Sequence, residues 1–268
     1  MKFTVLGATG FIGSYLARHL VEDGHEVWSP AKNEQSIFSN PLGHAFYCIG
    51  LTADFRQRPF ETLRAHVGLL GDILERADFT TLTYFSSTRV YLRSEQTSED
   101  DSLVVAPNDP GDLYNLSKLA GESLCWSSKR AGVRAVRVSN VVGYDLHSQN
   151  FMFSLIREAK AGQIALRTTL DSCKDYILID DLVALLPRIA LDGERSLYNV
   201  ASGVNLSNQA IVERLSLLTG CQSTVAPDAV SQKSPVINIS RIKNEFGFYS
   251  TPVLPRLDLL IKSGEYVH

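Results

Sequence analysis

The hydrophobic positions change period along the chain. Lys2–Leu6 is a short, nearly continuous apolar run, the pattern of a buried strand. Phe11, Ile12, Tyr15, Leu16 and Leu20 then recur at helical spacing, which predicts a helix over 11–22 stopped by Gly24. His25–Ser29 and His44–Ile49 read as strands, the second ending at Gly50. Phe60, Leu63, Val67, Leu70, Leu74 and Ala77 step by three or four and predict one amphipathic helix over 60–77. A strand at 81–85, a helix at 112–131 stopped by Gly132 and a strand at 134–138 follow. Helices near 151–161 and 181–191, strands at 176–179 and 197–200, and a helix marked by Ile211, Leu215 and Leu218 complete the pattern. The segment around 93–111 is rich in Asp, Ser, Asn and Pro and predicts a solvated, mobile loop above a site.

Strands alternating with helices imply an α/β fold, a doubly wound parallel sheet covered on both faces with right-handed crossovers. Residues 30–43, between the second strand and the third, are too few for a full strand–helix–strand passage. One sheet strand, and the adenine-side contacts it would bring, are expected to be lost.

Composition narrows the function classes. Apolar residues are 44% and charged residues 21%, which is ordinary for a globular chain and argues against disorder. There are 26 basic and 29 acidic side chains, a net charge of −3, so the general basic footprint of a nucleic-acid binder is absent. No apolar run approaches the ~20 residues of a membrane helix, and residues 1–7 lack the apolar core and cleavage site of a signal peptide. The expectation is a cytoplasmic protein with neither membrane nor nucleic-acid partner. Cys48, Cys125, Cys173 and Cys221 are far apart in sequence and have no histidine at ligand spacing, so they read as reduced thiols, with no metal site expected.

Three clusters carry chemistry. Gly7-Ala8-Thr9-Gly10-Phe11-Ile12-Gly13 lies between the first strand and the first helix. Gly7 permits a tight turn, Gly10 lets backbone approach a pyrophosphate, and Gly13 lets the helix pack against the sheet. The helix N-terminus, at Phe11 and Ile12, offers unpaired N–H groups to phosphate. Where the second strand ends, an acid would hold the ribose 2′-hydroxyl of NAD. Ala31 stands near that position and Lys32 follows, which favours NADP over NAD, although Glu34 within reach of the ribose would reverse the preference.

Tyr114 and Lys118 stand at i and i+4 on one predicted helix. A tyrosine with an ammonium beside it has a stabilised phenolate and becomes a candidate general acid/base. Lys118 is also placed to donate to a nicotinamide ribose. Ser86-Ser87-Thr88 follows the strand at 81–85, and in an open α/β sheet ligands sit beyond the carboxyl ends of strands.

With these features together, the chain resembles the extended short-chain dehydrogenase/reductase family, in particular its NAD-dependent epimerase/dehydratase branch acting on nucleotide sugars. Gly7, Gly10 and Gly13 match its first turn, and Tyr114 and Lys118 match its Tyr-x-x-x-Lys. Ser87 stands four residues before the tyrosine of Val90-Tyr91, where the family has its Ser/Thr, with Ser86 and Thr88 as near misses. Asn140-Val141-Val142-Gly143 and Lys174-Asp175-Tyr176-Ile177-Leu178-Ile179-Asp180-Asp181 resemble two substrate-side motifs, the second with Lys174 in place of arginine.

The resemblance implies a Rossmann-type cofactor domain at 1–143 plus 175–202 and a small substrate-binding lobe at 144–174 plus 203–268. It implies Ser87, Tyr114 and Lys118 as catalytic residues. Gly7, Gly10, Phe11, Ile12, Gly13, Ala31, Lys32, Gly50, Tyr114 and Lys118 would hold NAD or NADP. Ser87, Thr88, Asn140 and Lys174 would hold the nucleotide sugar, and the helices at 60–77 and 112–131 would join two copies in a homodimer. Epimerisation, an NADPH-dependent keto-sugar reduction, and non-catalytic redox sensing by an NAD(P)-bound regulator all remain open at this point.

Two departures stand out. The 4,6-dehydratases of the branch carry an Asp-Glu pair after the active-site threonine, and here Thr88-Arg89 follows Ser87. The helix that carries an Asn-Val pair in the family has His66-Val67, and His66 is expected to serve as a structural residue rather than a proton carrier. Arg56 or Arg58 could reach an anionic substrate, but both read first as solvated loop charges.

Overall fold

The structure, a computed structural model, describes residues 1–52, 54–144 and 150–263. The chain runs β1 (Lys2–Leu6), α1 (Phe11–Glu22), β2 (Glu26–Trp28), β3 (His44–Tyr47), α2 (Pro59–Leu63), a π-helical turn (Arg64–Gly68), α3 (Leu69–Arg76) and β4 (Thr81–Ser87). It continues through α4 (Leu113–Ser127), β5 (Val133–Val138), β6 (Asn140–Val142), α5 (Phe151–Lys160), β7 (Gln163–Thr168), β8 (Cys173–Leu178), α6 (Ile179–Asp192) and β9 (Leu197–Val200). Last come β10 (Asn205–Ser207), α7 (Asn208–Thr219), β11 (Gln222–Val230), α8 (Ser240–Phe246) and α9 (Leu257–Ser263). The expected lobe at 144–174 plus 203–268 takes in residues 145–149 and 264–268, which lie outside the described residues.

The main sheet is six-stranded and parallel, in the order β2-β1-β3-β4-β5-β9. The usual dinucleotide-binding sheet has one more strand outside β2. Here the chain leaves β2, makes one 3₁₀ turn at Gln35–Phe38 and returns to the far side of β1. The strand whose loss residues 30–43 predicted is absent from the sheet. Two small sheets follow, β10-β8-β6 and β11-β7.

Alternation along the strands divides the core between the two faces of the sheet. Phe3, Val5, Phe46, Phe85 and Val136 pack with α1 and α6 on one face. Ala45, Tyr47, Leu82, Tyr84 and Ala135 pack with α3 and Cys125 of α4 on the other. A third cluster, built from α5, β7, α7 and α9, forms the core beneath the C-terminal elements.

The predicted helix at 60–77 exists, but a π turn interrupts it at Arg64–Gly68. Two partners from outside the helix accommodate the displaced carbonyls. Tyr47 Oη donates to Ala65 O at 2.7 Å. A Cβ on Gly121 of α4 would stand 2.9 Å from His66 O, so glycine there lets the bulge sit against α4.

The 93–111 segment is pinned rather than free. Thr97 Oγ1 donates to Val236 O, Asn199 Nδ2 donates to Thr97 O, and Asn199 N donates to a buried Glu99 carboxylate. Its polar residues satisfy the end of β9, which composition does not reveal. The helix α4 ends at Ser127, before the predicted 131. Lys129 takes a left-handed φ of 53°, and Gly132 then passes under β4, where a Cβ would meet Thr80 O at 2.5 Å. Among the described residues no helix is long and apolar enough to cross a membrane.

Candidate functional site

The carboxyl ends of β1, β3, β4 and β5 open onto one cavity of about 990 Å³. Of the residues singled out in the sequence, Gly10, Phe11, Ile12, Gly13, Gly50, Ser87, Thr88, Tyr114, Lys118, Asn140 and Lys174 line it. Gly7, Ala31 and Lys32 do not.

Gly7 shapes the turn from beneath. Its φ is +90°, and a Cβ would press on Ile49 and its backbone N at 3.1 Å. A Cβ on Gly13 would lie 2.3 Å from Gly7 O, so α1 reaches the sheet only with glycine there. The N-terminus of α1 has no side-chain cap, which leaves its first-turn N–H groups available to an anion at the cavity wall. This cradle fits a dinucleotide pyrophosphate.

Ala31 and Lys32 are exposed. Glu34 is committed elsewhere: its carboxylate accepts Ser36 N at 3.1 Å and caps the Gln35–Phe38 turn, which lowers its pKa. The acid that was placed to reverse the NADP preference therefore has a structural partner.

Ser87 ends β4 and lines the same cavity as Tyr114, at the start of α4. Tyr114 is 6% exposed, and burial raises its pKa. The Ser87 hydroxyl and the positive charge of Arg89 oppose that rise. Sequence reasoning assigned the opposing charge to Lys118; Arg89 supplies it. Lys118 Nζ donates to Phe85 O at 2.8 Å and stands 5.9 Å from the Tyr114 ring centre. Burial brings its pKa down to about 7 against the pull of Cys48 and Glu122.

The near misses beside Ser87 separate. Ser86 Oγ donates to Glu122, which is paired with Arg137 through two hydrogen bonds of 3.0 and 2.7 Å, both residues buried. Thr88 begins the 3₁₀ turn Thr88–Tyr91 at the cavity wall.

His66 sits in the π turn with 0% exposure. Its Nε2 accepts Leu51 N at 3.2 Å, which assigns the proton to Nδ1, 2.8 Å from Ser117 Oγ. Burial, then the Lys118 charge, push its pKa down to about 3, so the ring is neutral and fully hydrogen-bonded.

On the far side, Asn140 Nδ2 donates to Asp175 O at 2.8 Å, and Lys174 Nζ lies 5.2 Å over the Phe151 ring. Two arginines also line the cavity: Arg56, for which the sequence offered an anionic substrate as the alternative to a solvated charge, and Arg89, which it left without a role. The signal for Arg89 was its place two residues after Ser87.

The chain is similar to known proteins in sequence and in fold. The family model described as NAD dependent epimerase/dehydratase family matches residues 3–58 and 44–201. A UDP-glucose 4-epimerase from Streptomyces lividans is 25% identical over 270 residues, covering 82% of this chain and 81% of its own. Among solved structures, MoeE5 in complex with UDP-glucose and NAD superposes with a TM-score of 0.83 at 21% identity, covering 99% of both chains. RMD from Pseudomonas aeruginosa complexed with NADPH gives a TM-score of 0.79 at 20% identity, again covering 99% of both chains.

Proposed function

The chain belongs to the NAD-dependent epimerase/dehydratase family, and we propose that it epimerises a nucleotide-activated sugar by reversible hydride transfer. When bound, the nicotinamide dinucleotide supplies a hydride acceptor that also returns the hydride. The chain's own residues do the rest. Gly10 and the first turn of α1 hold the pyrophosphate. Lys118 orients the ribose from beneath Tyr114. Ser87 hydrogen-bonds the reacting sugar oxygen, and Tyr114 takes its proton and gives it back. Asn140 and Lys174 hold the sugar's diphosphate. The observation that carries this reading is that Ser87, Tyr114 and Lys118 line the same cavity as the uncapped α1 turn.

The proposal extends to assembly and layout. Residues 1–143 plus 175–202 form the cofactor domain, and 144–174 plus 203–268 the substrate lobe. Phe60 and Leu63 on α2 and Trp126 on α4 are exposed, which supports a homodimer formed through these helices.

A second reading, an NADPH-dependent keto-sugar reductase, is favoured by the cation Lys32, the missing acid at Ala31 and the engaged Glu34. The deciding experiment is to denature the purified protein and assay released nucleotide. Retained NAD(H) is the result expected of the epimerase, because its hydride returns every cycle. A protein that carries no nucleotide and prefers added NADPH is a reductase. Binding of neither cofactor overturns both readings.

A further inference from the structure

We propose that the sugar of the substrate carries a carboxylate, and that Arg89 and Arg56 bind it beside Ser87 and Tyr114. The inference rests on the nucleotide-sugar reading above and narrows it to the acidic sugars.

Two guanidinium groups gather on one aromatic ring. Arg56 lies 4.5 Å and Arg89 5.7 Å from the Phe55 ring centre, and that ring stands 5.5 Å from the Tyr114 ring. Arg89 is tied in place: its backbone N donates to Ser87 Oγ at 3.2 Å and its Nη2 to Gly111 O at 3.3 Å. Arg56 Nη2 approaches the same glycine, 3.5 Å from where a Cβ would stand.

Charge and hydrogen bonding at this point are incomplete. Arg89 Nε is buried without a hydrogen-bond partner. Among the described residues neither Arg56 nor Arg89 makes an ion pair, whereas Arg58, Arg93, Arg137 and Arg241 all do. The nearby carboxylates of Asp109 and Asp112 are held by Arg93. Asp175, the one acid among the described lining residues, accepts from Ser202 N, Ser202 Oγ and Gly203 N. A half-buried guanidinium with an unmade donor and no ion pair is costly, and an anion held between it and the exposed Arg56 offsets that cost. A carboxylate does so, with two oxygens that match the guanidinium fork.

The position separates this anion from the diphosphate. The phosphate hangs from the anomeric oxygen, so the hydroxyl oxidised at Ser87 and Tyr114 belongs to another ring carbon. Arg89, two residues from Ser87, therefore meets substituents close to the reacting carbon. Lys174 and Asn140 remain for the diphosphate.

The test is calorimetric titration of the NAD(P)-loaded protein with uridine, guanosine and thymidine diphosphate-hexoses and the matching diphosphate-hexuronates. For the base accepted, the uronate is expected to bind at least about tenfold more tightly. Arg89→Gln is expected to erase that preference while affinity for the nucleoside diphosphate alone is kept. Arg56→Gln, at an exposed position, gives the same readout with a smaller loss should the Arg89 variant misfold. A neutral hexose bound as tightly as its uronate overturns this inference and leaves the epimerase reading standing. No binding of any nucleotide sugar overturns both.

Discussion

Nδ1 of His66 lies 2.8 Å from Oγ of Ser117, whose hydroxyl donates to Tyr114 O at 2.8 Å. A neutral ring thus braces the loop after β3, at Leu51, against the backbone of the proposed acid/base. Its pKa is about 3 in the fold against 6.5 for an ordinary histidine. Between those values the unfolded chain binds more protons than the folded one, so stability is full above 6.5 and falls as pH drops toward 3. The limiting slope for one group is about 1.4 kcal/mol per pH unit. His66→Asn is expected to flatten this loss in urea titrations across that window; an unchanged slope refutes the role.

Lys118 acts at the other end of the pH scale. Its pKa in the nucleotide-free fold is about 7, against 10.5 for an ordinary lysine. Between these values the unfolded chain holds the extra proton, so stability of the nucleotide-free protein rises with pH across the window. Lys118→Met is expected to remove that rise in thermal melts and to abolish turnover. A variant that keeps both the rise and the turnover contradicts the assignment.

Tyr114→Phe removes only the phenolic oxygen. Loss of one general acid/base typically lowers kcat about 10²- to 10⁴-fold. Nucleotide content after denaturation is expected to stay at the wild-type level, since the cradle at Gly10 and α1 is untouched. Unchanged turnover on an accepted nucleotide sugar rejects Tyr114 as the proton carrier.

Glu122 and Arg137 form a buried pair, with side chains 4% and 5% exposed, directly behind Ser86. Glu122→Gln leaves the guanidinium without its counter-charge and is expected to cost about 3–5 kcal/mol in denaturant unfolding. Adding Arg137→Met is expected to restore part of the loss, because the uncompensated charge goes with it. A single variant as stable as wild type shows that the pair is dispensable.

The site was legible where chemistry and local pattern coincide. Gly7, Gly10 and Gly13 sit at a strand–helix boundary that periodicity alone marks, and Tyr114 and Lys118 share a face of one helix. What stayed hidden depends on distant partners. The π turn at 64–68 rests on Tyr47 and Gly121, and no helical period announces it. The strands β6 and β10 are three residues each. β11 is mostly exposed and is ordered by pairing with β7 rather than by an apolar pattern of its own. Arg56 resembled a solvated charge and Arg89 had no role until the fold placed both against Phe55.

The missing outer strand makes β2 the border of the sheet. A border strand offers unpaired backbone groups on which another chain can add a strand. Here it is only three residues long, and Lys2 lies over Trp28 at 5.9 Å from the ring centre. So short a strand, with a charge beside it, is a poor template. The fold is therefore one strand shorter beyond β2 without gaining a sticky edge.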